Sequence, residues 1–174
     1  AGTATMTYTV TGTGGCANVT ATRTVTIYSP TVTLIGTSSI VENSGGNVTL
    51  TATLSTPTIT NTIIELAYSG TAVNGSDYTP SSNIITIPAG STTGTVTISP
   101  IDDNIDEGSE TIIVDIVNVT GGCAYELGTQ TATVTIIDNE GPPTMTIGSV
   151  TVNEGDGNAT VPVSISGLSS VDTV

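Results

Sequence analysis

Histidine, lysine, phenylalanine and tryptophan are all absent from the 174 residues, and Arg23 is the one basic side chain. Without histidine or lysine there is no imidazole base or metal ligand, no Schiff-base amine and no lysine for a phosphate cradle. Against fifteen carboxylates the formal net charge is −14, so the basic patch that nucleic acid or an anionic membrane requires is missing. Two cysteines, Cys16 and Cys123, are too few for a disulfide scaffold and define no redox compartment. No apolar run is long enough to cross a bilayer. The opening residues Ala1-Gly2-Thr3-Ala4-Thr5 have neither the basic nor the apolar region of a signal peptide. The aromatic content is five tyrosines, so a core must be built from Val, Ile, Leu and Ala.

What is present is strand pattern. Threonine makes up about a fifth of the residues, and this β-branched type suits the wetted face of a strand. In the first segment Met6, Tyr8 and Val10 alternate with Thr5, Thr7, Thr9 and Thr11. After Gly12-Thr13-Gly14-Gly15-Cys16 the alternation resumes through Val19, Ala21, Arg23, Val25 and Ile27, which predicts a β-hairpin. Seven strand-like runs follow, at 31–35, 48–54, 63–68, 84–87, 94–99, 111–119 and 129–137, with turn residues between them. That density predicts an immunoglobulin-like sandwich. Val48, Leu50, Leu54, Ile98, Val134 and Ile136 are its expected core, with Thr49, Thr51 and Thr53 on the outer face. Asp138-Asn139-Glu140-Gly141-Pro142-Pro143 marks a boundary stiffened by a proline pair. Beyond it the pattern restarts, with 147–155 echoing 40–43 and 159–165 echoing 48–54. The expectation is an all-β slice of a tandem array in three parts. Residues 1–30 are the C-terminal hairpin of a preceding sandwich, 31–141 a complete sandwich, and 142–174 the first strands of a following one. Either end piece has too few strands to be stable alone, so each is expected to be completed by chain outside this sequence or by neighbouring chains.

Residues 102–110 hold five of the fifteen carboxylates. Such a run repels itself unless a cation sits in it. It lies between strand-like runs, so it is expected to be a loop held by a sheet. Hard oxygen ligands in that setting suit Ca²⁺, which takes about six to eight oxygens; a solvated acidic turn is the alternative. The pair Asp102 and Asp103 also raises glycosidase chemistry, but neither an aromatic platform nor a sugar-sized cleft is signalled.

Four groups of residues stand in the order and spacing of the Calx-beta repeat: Val41-Glu42-Asn43; Gly75-Ser76-Asp77-Tyr78-Thr79; Ile101-Asp102-Asp103 with Asp106, Glu107 and Glu110; and Thr133-Val134-Thr135-Ile136-Ile137-Asp138-Asn139-Glu140. Residues 31–140 resemble that family throughout and 144–174 in part. The resemblance implies tandem seven-stranded sandwiches with Ca²⁺ at one pole, held by Glu42, Asp77, Asp102, Asp103, Glu107, Glu110, Asp138 and Glu140. Asn139 departs from the family's closing acidic triad, so one ion of a multi-ion cluster is expected to be weakened. Glu154 matches Glu42 in the partial repeat. The first hairpin, from Tyr8 to Ile27, is similar to the last hairpin of immunoglobulin-like repeats in large Bacteroidetes surface proteins, gliding-motility adhesins among them.

These resemblances imply a non-enzymatic, extracellular segment of a long bacterial cell-surface adhesin or filament, in which Ca²⁺ stiffens the junction at Gly141-Pro142-Pro143. The expected partners are neighbouring repeats, other copies of the chain, or a surface polysaccharide or protein, without nucleic acid or membrane insertion. A Ca²⁺-sensing module like that of the sodium–calcium exchanger and an accessory domain of a secreted enzyme are the alternatives. Cys16 and Cys123, about one domain length apart, are not expected to pair. The Asn-x-Thr/Ser sites at Asn18, Asn47, Asn74, Asn118 and Asn158 are what a threonine-rich sequence gives by chance. Asp172-Thr173-Val174 resembles a short O-glycosylation signal of Bacteroidetes surface proteins.

Overall fold

The computed structural model describes residues 2–170; Asp172-Thr173-Val174 lies outside them. The strands are β1 (Gly2–Val10), β2 (Val19–Ile27), β3 (Thr31–Ile35), β4 (Thr37–Val41), β5 (Val48–Leu54), β6 (Thr62–Gly70), β7 (Tyr78–Pro80) and β8 (Ile84–Ile87). They continue as β9 (Thr93–Pro100), β10 (Ile105–Asp106), β11 (Glu110–Thr120), β12 (Tyr125–Glu126), β13 (Thr131–Ile137), β14 (Met145–Ile147), β15 (Val163–Ile165) and β16 (Leu168–Ser169). A single 3-10 turn, Glu42–Ser44, is the one helical element among the described residues.

Two five-stranded sheets form the central sandwich, in the orders β4-β13-β11-β6-β8 and β12-β3-β5-β9-β7. Period-two sequence decides which side chains meet between them. On β5, Val48, Leu50, Ala52 and Leu54 are buried while Thr49 is exposed and Thr51 and Thr53 are half-buried. Across the β5–β9 ladder Thr49 faces Thr97, Thr51 faces Thr95 and Thr53 faces Thr93, so threonine lines the outer surface and Val96 and Ile98 point inward. All six expected core residues are at most 6% exposed. A slip of one residue would send this whole apolar set to solvent.

The first strand of the sandwich changes sheets partway along. β3 pairs with β5, whereas β4 pairs in parallel with β13 in the opposite sheet. Gly36 makes the crossing, where an added Cβ would lie 2.0 Å from Leu50 Cδ2. The crossing places the end of β4 beside the end of β13, with Val41 opposite Ile137. Glu110 at the start of β11 faces Ile136, and Gly70 at the end of β6 faces Ile112. Tyr78 faces Pro100 at the end of β9. Four segments, 42–44, 71–77, 101–109 and 138–140, therefore leave the sheets at one pole.

Strands β4, β7, β10 and β12 lie outside the seven runs legible in the sequence, because two to five residues give little periodicity. The echo at 159–165 forms a strand only over Val163–Ile165, which pairs with Met145–Ile147. Pro162 lacks an N–H, and its carbonyl accepts from Gly148 N at 2.8 Å, so the ladder stops there. The first hairpin forms as expected, with β1 and β2 in one nine-pair register. Among the described residues β1 and β2 pair only with each other, and every residue of both is exposed.

Candidate metal centre

Backbone hydrogen bonds and carboxylates that accept backbone N–H groups together hold the polar segments. Gly70, at φ +121°, ends β6 where a Cβ would lie 2.1 Å from Thr111 O. Close approach there lets Thr71 N and Ala72 N donate to that same carbonyl at 2.9 and 3.1 Å. The following turn closes as Gly75 N donates to Tyr78 O and Asp77 N to Val73 O, at 2.8 and 2.9 Å. Tyr78 anchors it: the ring is 2% exposed and packs 6.3 Å from that of Tyr68, whose hydroxyl donates to Ser82 O at 2.8 Å. Asp77 is thereby fixed at 9% exposure, and Val73 N donates to its Oδ2. Its carbonyl accepts Ile101 N at 2.9 Å, joining this turn to the acidic loop.

Asp138 joins the loop to the closing strand. Its Oδ2 accepts Glu107 N at 2.8 Å and Gly108 N at 3.1 Å, and its Oδ1 accepts Glu140 N at 3.0 Å. Burial alone would push this carboxyl up, but the three N–H donors outweigh it and hold the group below its ordinary value. Asp103 Oδ1 accepts Ile105 N at 2.7 Å and turns the loop.

The remaining six expected ligands meet as two triads. Glu42, Asp102 and Glu140 bring one oxygen each within 4.8 Å of one another, and so do Asp77, Glu107 and Glu110. Asp103 and Asp138 belong to neither triad, and the charge of each helps to raise both Glu42 and Glu107. Burial first, then a carboxyl contact with Glu140 and the charges of Asp138, Glu140 and Asp103, pushes Glu42 up to about 8. Burial, followed by contact with Asp77 and the charges of Asp77 and Glu107, pushes Glu110 up to about 7. Glu107 is raised in the same direction by burial and by Asp77, Asp103 and Asp138. Two full charges at about 4.8 Å repel by roughly 3 kcal/mol at an effective dielectric near 20.

The donor set fits a hard divalent cation. It is all carboxylate, as oxygen-seeking ions demand. Glu42 Oε1 and Glu140 Oε2 are buried with no hydrogen-bond partner, an arrangement that is costly unless something cationic meets it. Asn139, the departure from an all-acidic closing triad, donates from Nδ2 to Glu140 Oε1 and leaves Oε2 as the oxygen without a donor. The chain's single cation, Arg23, is on the first hairpin opposite Met6. Asp106 is 6% exposed but belongs to neither triad; its Oδ2 accepts the Ser169 hydroxyl at 2.9 Å, a contact across 63 positions that spacing does not signal. Glu154 is exposed and its partial site is not assembled among the described residues. A concavity of about 620 Å³ on the hairpin and one of about 530 Å³ beside Pro57 and Cys123 are lined by none of the eight carboxylates.

A β-sandwich with carboxylates gathered at one pole, from buried Glu42 to exposed Asp102, defines the class of protein. Over residues 28–140 the sequence matches the Calx-beta domain, and the chain belongs to that family. The crystal structure of CBD12 from CALX1.2 shares the fold at TM-score 0.54 and 23% identity, covering 62% of this chain and 45% of that one. The apo-form Calx CBD1 domain does so at TM-score 0.51 and 23% identity, over 63% of this chain and 98% of that one. The chain thus spans less than half of the first relative and nearly all of the second. A Bacteroides ovatus protein of unknown function has TM-score 0.44 and 13% identity, over 64% of this chain and 52% of that one. No curated protein sequence matches it.

Proposed function

We propose that the central sandwich binds Ca²⁺ at this pole, with Glu42, Asp102 and Glu140 in one group, Asp77, Glu107 and Glu110 in a second, and Asp103 and Asp138 completing the ligand set. The buried, donorless oxygens of Glu42 and Glu140 carry this conclusion. The carboxylates themselves take no part in a reaction: they bind, neutralise the ion and are neutralised by it. Bound Ca²⁺ ties four strand ends together, and Glu140 stands directly before Gly141-Pro142-Pro143. Fixing Glu140 therefore fixes the direction in which the chain leaves the sandwich. In this role the protein is a non-enzymatic, extracellular segment of a bacterial cell-surface adhesin or filament, joined to neighbouring repeats, to other copies or to a surface polysaccharide or protein.

Calorimetric titration with Ca²⁺ and with Mg²⁺, paired with thermal melts in Ca²⁺ and in chelator, tests it. Binding to the folded state alone stabilises by about 2.7 kcal/mol at a hundredfold excess over Kd. A Kd of about 10⁻⁴–10⁻³ M fits an extracellular stiffener, whereas about 10⁻⁷–10⁻⁵ M selects the sensing module instead. Identical midpoints in millimolar Ca²⁺ and in chelator would leave a solvated acidic pole.

A further inference from the structure

Asp106, 6% exposed, is the one buried carboxylate of the acidic loop, and neither triad uses it. Two donors from a distant segment converge on it instead. Ser170 N donates to its carbonyl at 3.0 Å, and the Ser169 hydroxyl donates between that carbonyl, at 3.1 Å, and Oδ2, at 2.9 Å. The pairing is parallel, with Ile105 opposite Leu168 and Asp106 opposite Ser169. The chain thus leaves the pole after Glu140 and returns to it at Leu168 as an added strand. Among the described residues β10 has no other strand partner, since β10 and β16 make up a two-stranded sheet of their own.

The position of β10 in the loop gives this contact its consequence. On one side of Asp106, Ile105 N is held by Asp103 Oδ1 at 2.7 Å; on the other, Glu107 N is held by Asp138 Oδ2 at 2.8 Å. Both of those anchors are carboxylates of the expected ligand set, whereas the anchor at Asp106 is independent of it. A ladder of two residue pairs is marginal in water. An ion bound through Glu107 and a strand docked on Asp106 favour the same backbone course from 103 to 107, so each lowers the ordering cost of the other. We propose that Asp106 is a positioning residue for the metal centre: it docks Leu168-Ser169-Ser170 on β10, and the docked strand holds Asp103 and Glu107 in place for the ion. This rests on the Ca²⁺ reading of the pole and adds to it a contact that no ligand makes.

Calorimetric Ca²⁺ titration and amide hydrogen exchange on full-chain variants test it. Ser169→Ala removes the hydroxyl without changing any charge, and Ser170→Pro removes the N–H that the Asp106 carbonyl accepts. Each should weaken Ca²⁺ binding about fivefold, and the two together more than about tenfold, as coupled sites do. Ser169→Thr keeps the hydroxyl and should restore the wild-type affinity. Ser164→Ala, which removes the partner of the Thr146 hydroxyl on β14, should leave affinity unchanged. Melting of the central sandwich in chelator should be the same in every variant, which separates positioning from unfolding. In the wild type, exchange at 168–170 should slow on adding Ca²⁺ by a factor matching the loss of affinity, because linkage is reciprocal. Equal affinities in the wild type and the double variant, with Ca²⁺ still bound by both, overturn the positioning role and leave the metal centre standing. Exchange at Ser170 as fast as in an unstructured peptide, with and without Ca²⁺, overturns the docking itself. A wild type that binds no Ca²⁺ removes the metal reading, and this proposal with it.

Discussion

Replacing Glu42 by Gln keeps the side-chain volume and removes one charge from a site 8% exposed. In the ion-free protein burial and the facing carboxylates hold this group at about 8, against an ordinary 4.5. A folded-state pKa above the unfolded one contributes stability that is complete below about 4.5 and is lost as pH rises toward 8. At about 1.4 kcal/mol per unit, the penalty at pH 7 is about 3 kcal/mol, shared by the Glu42–Glu140 pair. Glu42→Gln removes it and offers an N–H donor to Glu140 Oε2, which has none. In chelator near pH 7 the variant should melt about 10 °C above the wild type, at roughly 4 °C per kcal/mol. Near pH 5 the gap should shrink to about 3 °C, because the unfolded-state carboxyl is then only partly ionised while the folded one stays protonated. Saturating Ca²⁺ should invert the order, since the variant has lost a charged ligand and binds the ion more weakly. Circular-dichroism melts of both proteins between about pH 5 and about pH 8, with Ca²⁺ and with chelator, measure all four corners. A wild-type midpoint in chelator that does not fall with rising pH, or a variant destabilised equally with and without the ion, would refute the reasoning.

Other substitutions separate the site from its scaffold. Asp103→Asn should weaken Ca²⁺ binding about tenfold or more, read by calorimetry, whereas Asp115→Asn, on β11 opposite Ala67 and Thr131, should leave it unchanged. Gly70→Ala should cost about 3 kcal/mol or more, because φ is +121° and the Cβ meets Thr111 O at 2.1 Å. The same change displaces the turn that carries Asp77, so Ca²⁺ affinity should fall with stability. Leu50→Ala, at a fully buried position, should cost about 2–5 kcal/mol in a denaturant titration and leave Ca²⁺ affinity within twofold.

Strands such as β5 were legible because alternation over seven residues commits one face to burial. Tyr78–Pro80 was not, since its run of turn residues hides an edge strand whose worth comes from Tyr68 across the core. At the pole, motif order named eight carboxylates, and the structure brings six of them into two triads. Their division into two triads was illegible, because it depends on which strand ends the crossing at Gly36 brings together. Asp138 illustrates the limit: its residue type suggests a ligand, whereas its oxygens are engaged by three backbone N–H groups. Asp106 shows the converse, an acidic residue in the same loop whose carboxylate meets Ser169 instead of the cluster.

The crossing at Gly36 also sets how the sandwich would bear a load. β4 and β13 run parallel over five residue pairs, from Thr37–Thr133 to Val41–Ile137. A pull on the two ends of the sandwich draws β4 backward and β13 forward, along the strands and across the evenly spaced, slanted bonds that join them. Those bonds then resist in shear, all at once, instead of peeling apart singly as they would between antiparallel neighbours pulled from the same end. The Asp138 contacts to Glu107 and Gly108 lie at the trailing edge of that seam, so an ion at the pole would clamp the place where tension leaves the domain.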